Sequence, residues 1–388
     1  MTGPGRSSLD IADAAPLHPA AREALLASLD DGWADPARRH HEGRRSALLR
    51  DAAHAAVAEV LGCRPDEVTT TSSGTTAHAV AVLGALAGRR PPGAPPAGQR
   101  LVASAVEHSA VLSAADAHER DGGRVELLGV DRTGRVDPDA LGPAAARATV
   151  LSLQHANHEV GTLQPVDRAA EVCRASGAVL HVDVTTTLAR RPVPSGWNVL
   201  SADPRPLGAP AGVGLLAVRT RTRLRPLLPP DASHDRRWPG PPPVPLLLAT
   251  AAALRAEAAS AAAEAARRVA LVDRVRRAVV DLDDVELLGP RDPEARVDDL
   301  VAFSCLSVDA EVLLTSLDAE GVAVSSGSSC TADTREPSHV LVAMGVLTQG
   351  NVRVSVGRST TDDDVDRLLA VLPRVLHRLR DEAGVLGL

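Results

Sequence analysis

The sequence predicts an α/β fold: a large domain with a mostly parallel sheet flanked by helices, followed by a smaller C-terminal α/β domain. Three observations predict it. From about Pro16 to Arg223, short apolar runs alternate with amphipathic helical stretches. The strand candidates are continuously apolar, as expected of a sheet covered on both faces. A Pro-rich stretch, Pro226 to Pro245, then breaks the pattern, and one long Ala/Arg helix leads into a second set of strands and helices. We place the large domain at 16–250, and the connecting helix with the small domain at 251–388. Residues 1–15 are expected to pack with the latter.

The elements follow in order. Leu17 to Leu29 and Ser46 to Leu61 read as amphipathic helices. Glu67 to Ser72 reads as a strand ending at Gly74, where an Ala/Val-rich helix runs to about Ala87. After a Pro/Gly loop, Arg90 to Gly98, come strand Leu101 to Ala105, helix Ser109 to His118, and strands Val125 to Val130 and Thr149 to Gln154. Helix Asp167 to Ser176 and strand Ala178 to Val182 follow, with further strands near Asn198 and Val213. The long helix spans Leu246 to about Asp281. The last unit has strands near Val285, Val301 and Val352 and helices Asp309 to Asp318, Ser338 to Met344 and Asp362 to Glu382. There is no internal repeat.

Composition narrows the function. The 388 residues are 44% hydrophobic and 23% charged, an ordinary globular composition. A net charge of -7 argues against nucleic-acid binding. No run of 18 apolar residues predicts a membrane span, and no secretion signal is visible, so a cytoplasmic location is expected. With no Tyr and a single Phe, the core must be built from Ala, Val and Leu. All 42 basic residues are Arg. No lysine is present, so no side-chain amine can form a Schiff base or act as a general base.

The four cysteines have no C-x-x-C spacing, and neither a metal site nor a redox pair is expected. Cys63, Cys173 and Cys305 sit in apolar stretches and read as buried thiols. Cys330 differs. It ends the run Ser325-Ser326-Gly327-Ser328-Ser329, which reads as a loop carrying a thiol. On the strand Asn351 to Arg358, Arg353 and Ser355 share one face. There Arg353 suits either a bidentate carboxylate or a plain salt bridge. Ser72-Ser73-Gly74-Thr75-Thr76 closes a strand and opens a helix, where backbone N–H groups can cradle an anion. Asp183 ends a buried strand, where α/β folds bind ligands. Two further polar groups, Glu107-His108-Ser109 and His155 to Gly161, follow strand ends.

In order and spacing these motifs resemble the cysteine desulfurases of the class V aminotransferase group, over nearly the whole chain. The matching stretches are Thr71 to Ala79, Glu107 to Val111, Asn157 to Gly161, His181 to Val184, Ser326 to Thr331 with Glu336 to Ser338, and Arg353 to Gly357. The resemblance implies the type I fold of pyridoxal phosphate (PLP)-dependent transferases and a homodimer. It also implies a PLP cofactor, held as a lysine Schiff base, and transfer of cysteine sulfur to a loop cysteine as a persulfide. It assigns Cys330 the persulfide, Arg353 and Asn157 the substrate, His108 stacking on the ring, Asp183 the ring nitrogen, and Thr75 and Thr76 the phosphate turn.

The departures concentrate on the cofactor. Counting back from Ala209-Pro210-Ala211-Gly212-Val213-Gly214 places Arg205 at the family's His and Pro206 at its lysine. Asp203 stands where a phosphate-binding Ser is usual. His158 replaces an Asn, Thr186 a Gln and Ala77 a Glu. The Thr that a partner subunit offers to the phosphate falls near Pro241. Three readings remain open. One is sulfur transfer through Cys330 with no covalent PLP, with a separate donor or acceptor protein. A second is an inactive homologue acting as a dimeric binding or regulatory partner. The third is a desulfurase with non-covalent PLP and His158 or Arg205 as substitute base.

Overall fold

The computed structural model describes residues 5–229, 234–327 and 337–384. The chain begins with a two-residue strand, β1 (Ser7–Ser8), and two helices, α1 (Pro19–Ser28) and α2 (His41–Leu61). Then come β2 (Val68–Thr71), α3 (Gly74–Arg89), β3 (Arg100–Ser104), α4 (Ser109–Arg120), β4 (Arg124–Leu128), α5 (Leu141–Arg147) and β5 (Val150–Ser152). They are followed by α6 (Val166–Ser176), β6 (Val179–Asp183), β7 (Val199–Ala202) and β8 (Gly214–Val218). A seven-stranded sheet has the order β2-β8-β7-β6-β5-β3-β4, in which only β8 runs against the rest.

Alternate side chains of this sheet enter two separate cores. Leu101, Ala103, Val150, Val179, Val199 and Leu216 meet Val80, Ala81 and Val111 of α3 and α4. Val102, Leu151, Leu180, Val182, Leu200 and Leu215 meet Val57, Leu61, Ala144 and Ala169 of α2, α5 and α6. Both faces are therefore dry, which explains why the strands read as unbroken apolar runs. On the second face Trp197 is 2% exposed, and the Arg219 guanidinium lies 3.8 Å above its ring.

Helix α7 (Val244–Val280) is the spine. By length and composition it alone among the described helices could cross a bilayer, a possibility that the count of unbroken apolar runs misses. Here it is a core helix: Leu247 and Leu254 enter the large core, and Leu271, Val272, Val275 and Val279 the small one. The small core is completed by β9 (Val285–Leu287), β10 (Leu300–Cys305), α8 (Ala310–Ala319), β11 (Val322–Ala323), β12 (Asn351–Ser355) and α10 (Asp362–Glu382), while α9 (His339–Met344) packs Val340, Leu341 and Met344 against Val106, Val160 and Leu288. The antiparallel order β12-β10-β9 puts Phe303, fully buried, at its centre. Strand β1 pairs in parallel with β11, so the N-terminal segment joins the small unit.

Several elements depart from the sequence pattern. Helix α2 starts at His41, ahead of the predicted Ser46, because His40 caps it by accepting the Gly43 N–H on Nδ1. Helix α5 and the strands β1 and β11 are too short for periodicity to show. Cys63 is half-buried, short of the full burial expected.

Candidate functional site

The C-terminal ends of β5, β6 and β7 converge on the start of α3. Ser73 caps this helix by accepting the Thr76 N–H. Two glycines permit the close approach. A Cβ on Gly214 would lie 1.9 Å from the Ser73 carbonyl oxygen, and one on Gly74 would lie 2.6 Å from Asp203 Oδ2. The Asp203 carboxylate is thus packed directly against the helix start, where backbone N–H groups would otherwise receive an anion. It is held there by a fork from Arg205, with Nη2 at 2.7 Å and Nε at 2.9 Å from Oδ2. That bond raises the Arg205 pKa, with the charge of Asp203 adding to it.

Asp183 lies at the end of β6. Its Oδ1 accepts from the backbone N–H and hydroxyl of Thr185, and its Oδ2 is 3.6 Å from His78 Nε2. Burial opposes the charge, but His78 and Thr185 hold the carboxyl below its ordinary range. His78 also shares a 2.7 Å hydrogen bond with Ser201 Oγ.

Four imidazoles line up from there: His78 and His108 at 5.7 Å, His108 and His158 at 4.9 Å, His158 and His339 at 6.4 Å between ring centroids. His108 caps α4 by accepting the Ala110 N–H on Nδ1. Burial, with His108 beside it, pushes the His158 pKa well below the ordinary value. His339 Nε2 donates to the Glu107 carbonyl at 2.9 Å. Two buried carboxyls flank the row. Burial, reinforced by Asp183, raises Glu107 to about 8. Burial also raises Glu159 to about 7, opposed by a 2.6 Å hydrogen bond from Ser338 Oγ.

Arg353 lies on β12 and is 1% exposed. Its Nη2 is 2.7 Å from Asp13 Oδ2 and 3.3 Å from Asp10 Oδ1, and its Nη1 donates to the His158 carbonyl at 3.1 Å. Burial works against the cation, but Asp13 and Asp10 raise its pKa.

Of the residues singled out by sequence, Thr75, His108, Asp183, Arg205 and Pro206 line one cavity with Asp13, His78, His158 and Asp203. Its volume is about 60 Å³. Arg353 reaches its edge through Asp13. Thr76 is turned away, its hydroxyl 3.1 Å from Ser72 Oγ and 2.9 Å from Ser73 Oγ. Asn157 is fully buried and spends its amide on backbone: Nδ2 donates to Val106, and Oδ1 accepts from Glu159 and Val160. It holds a turn and does not line the cavity. Pro206 sits buried in a short 3-10 turn. Cys330 lies outside the described residues.

Sequence reasoning missed His78 and Asp13. His78 lies one turn beyond Gly74 on α3, a spacing that points it at the end of β6. Asp13 had no local signal. A larger cavity, about 650 Å³, opens between α2, β2 and Pro241 to Pro243. Its two arginines are taken up by neighbours on its own wall: Arg50 by Asp51, and Arg237 by Asp235 and the Asp66 and Glu67 carbonyls. Among the described residues no group of His, Cys, Asp and Glu is arranged to hold a metal.

Comparison with known proteins places this arrangement. Residues 9–368 match the family Aminotransferase class-V. The chain is 33% identical over 383 residues to the cysteine desulfurase IscS of Dictyoglomus turgidum, covering 96% of this chain and 95% of that one. It is 33% identical over 386 residues to the IscS-like cysteine desulfurase of Mycobacterium tuberculosis, covering 97% of each. A solved NifS-like protein superposes with a TM-score of 0.87 at 23% identity, covering 96% of this chain and all of the other. DndA from Streptomyces lividans does so with 0.74 at 26% identity, covering 87% and 96%. The fold, the ordered motifs and these relatives agree, and the chain belongs to the cysteine desulfurases of the class-V aminotransferase family.

Proposed function

We propose that this chain handles sulfur on the desulfurase scaffold without PLP, accepting it on Cys330 from a separate donor. The family is PLP-dependent, but the residues present do not fit that group. No lysine exists to hold it. The cavity of about 60 Å³ is far below the roughly 300–1,000 Å³ of ligand pockets. The observation that carries the reading is the Asp203 carboxylate, clamped by Arg205 against the start of α3. A phosphate there would meet a like charge. Neither proposed substitute base suits the task. Arg205 is a locked cation, and burial leaves His158 a weak base.

In this reading the Cys330 thiolate attacks the terminal sulfur of a donor persulfide. One S–S bond forms on Cys330, the donor's S–S bond breaks, and the donor leaves as a thiolate. Mass spectrometry of the protein treated with a low-molecular-weight persulfide tests it. A gain of one sulfur on Cys330, absent in Cys330→Ala, is expected; sulfur on Cys63, Cys173 or Cys305 alone would refute it.

A second reading, an inactive partner of an active desulfurase, is favoured by one observation: Arg353 already pairs with Asp13 and Asp10. Failure of Cys330 to load in the same assay selects it. For either reading we propose a homodimer. Trp33 (69% exposed), Leu26, Leu29 and Leu48 offer apolar surface for it, and Pro241 to Pro243 border the large cavity where a second copy would reach.

A further inference from the structure

We propose that Asp13 is an internal ligand of Arg353, a built-in carboxylate that closes the carboxylate site of the pocket and that a small amino acid must displace to enter. The proposal goes beyond the reading above and stands apart from the loading of Cys330.

Three observations carry it. First, Arg353 and Ser355 share one face of β12, and both engage the N-terminal segment. Ser355 Oγ accepts from the Ile11 and Ala12 N–H groups at 2.7 and 3.0 Å, and the Leu9 carbonyl accepts from the Ser355 N–H at 2.8 Å. These bonds fix the backbone immediately before Asp13, so its carboxylate is delivered to the guanidinium by the same strand that bears the guanidinium.

Second, the pair is asymmetric in exposure. The Arg353 side chain is 1% exposed, whereas that of Asp13 is 47% exposed and lines the cavity with His108 and His158. A competing carboxylate therefore meets the ligand before it meets the cation, and the ligand can swing toward solvent.

Third, Arg353 Nε is buried without a hydrogen-bond partner. An arginine presents five donors, so the internal carboxylate leaves part of the fork unused. A free carboxylate seated bidentately on Nε and Nη2 would satisfy a donor that Asp13 leaves orphaned. The contact thus has the form of a stopper: strong enough to neutralise the buried cation, incomplete enough to be replaced.

Isothermal titration with L-alanine tests this, since alanine has the backbone of cysteine and no thiol to react. A closed site lowers apparent affinity by the fraction of time it is open. Asp13→Asn is expected to bind L-alanine about tenfold or more tightly than the wild type. Adding Arg353→Ala in that background should abolish the gain. Ser355→Ala, which loosens the segment but keeps both charges, should give a smaller gain and serves where Asp13→Asn fails to fold by circular dichroism. Folded Asp13→Asn that binds no better than the wild type overturns the proposal. So does a wild type whose Arg353-dependent binding already equals that of the variant. Persulfide loading of Cys330 is read separately: loading without an alanine effect sinks only the stopper, and an alanine effect without loading sinks only the sulfur-transfer reading.

Discussion

Replacing Asp203 by Ser should open the α3 start to phosphate, and the size of the effect follows from the geometry. Because Asp203 Oδ2 lies 2.6 Å from where a Gly74 Cβ would be, any phosphate seated at this helix start comes within about 4 Å of the carboxylate. At that distance and an effective dielectric constant of about 20, each pair of unit charges repels by about 4 kcal/mol. A phosphate of charge roughly -1.5 to -2 is thus opposed by about 6–8 kcal/mol. Arg205 offsets much of this, but its side chain is 42% exposed and its field is screened by solvent. If a quarter of the repulsion survives, about 2 kcal/mol remains, or about 30-fold in affinity. Equilibrium dialysis of PLP against wild type and Asp203→Ser is the assay, with pyridoxal, which lacks the phosphate, as the control. PLP should bind the variant about 30-fold more tightly, while pyridoxal changes little. Equal changes for both compounds, or none for PLP, would refute the reasoning.

Other predictions concern titration, packing and reactivity. Because folding favours the protonated form of Glu107, its contribution to stability is complete below about 4.5 and is lost as pH rises through about 8; Glu107→Gln should remove that decline in melting temperature between about pH 4.5 and 8, and an unchanged decline would count against it. Phe303→Ala empties the centre of the small core and should lower stability by about 3–5 kcal/mol in denaturant titration; a loss below about 1 kcal/mol would mean that the site collapses to fill the space. Burial raises the Cys63 thiol to about 11 and those of Cys173 and Cys305 to about 12. A limiting dose of alkylating reagent should therefore label Cys330 at least about a hundredfold faster than these three by peptide mapping, and comparable rates would contradict it.

The sheet was legible because both its faces are buried, which writes each strand as a short apolar run. Helix starts were less so: the first turn of α2 is polar, and its capping by His40 leaves no periodic trace. Within the site, Asp183, His108, Arg205 and Pro206 are tied to strand ends or turns whose order the sequence preserves. Thr76 and Asn157 carry the right chemistry in the right motifs, but their polar atoms serve a helix cap and a turn. His78 hid in an apolar helix, where one polar residue has no evident addressee until β6 is placed beside it. Asp13 could not be read locally, because its partner follows 340 residues later.

That separation has a consequence for synthesis. At roughly 5–20 residues per second, the N-terminal segment waits roughly 20–70 s for its partner strand to leave the ribosome. Strand β1 is likewise without its partner until β11 is made. The seven-stranded sheet, complete by Val218, can form well before either arrives. The carboxylate site is therefore assembled only after the large sheet, and a nascent chain passes through a stage in which that sheet is finished while its own stopper hangs free.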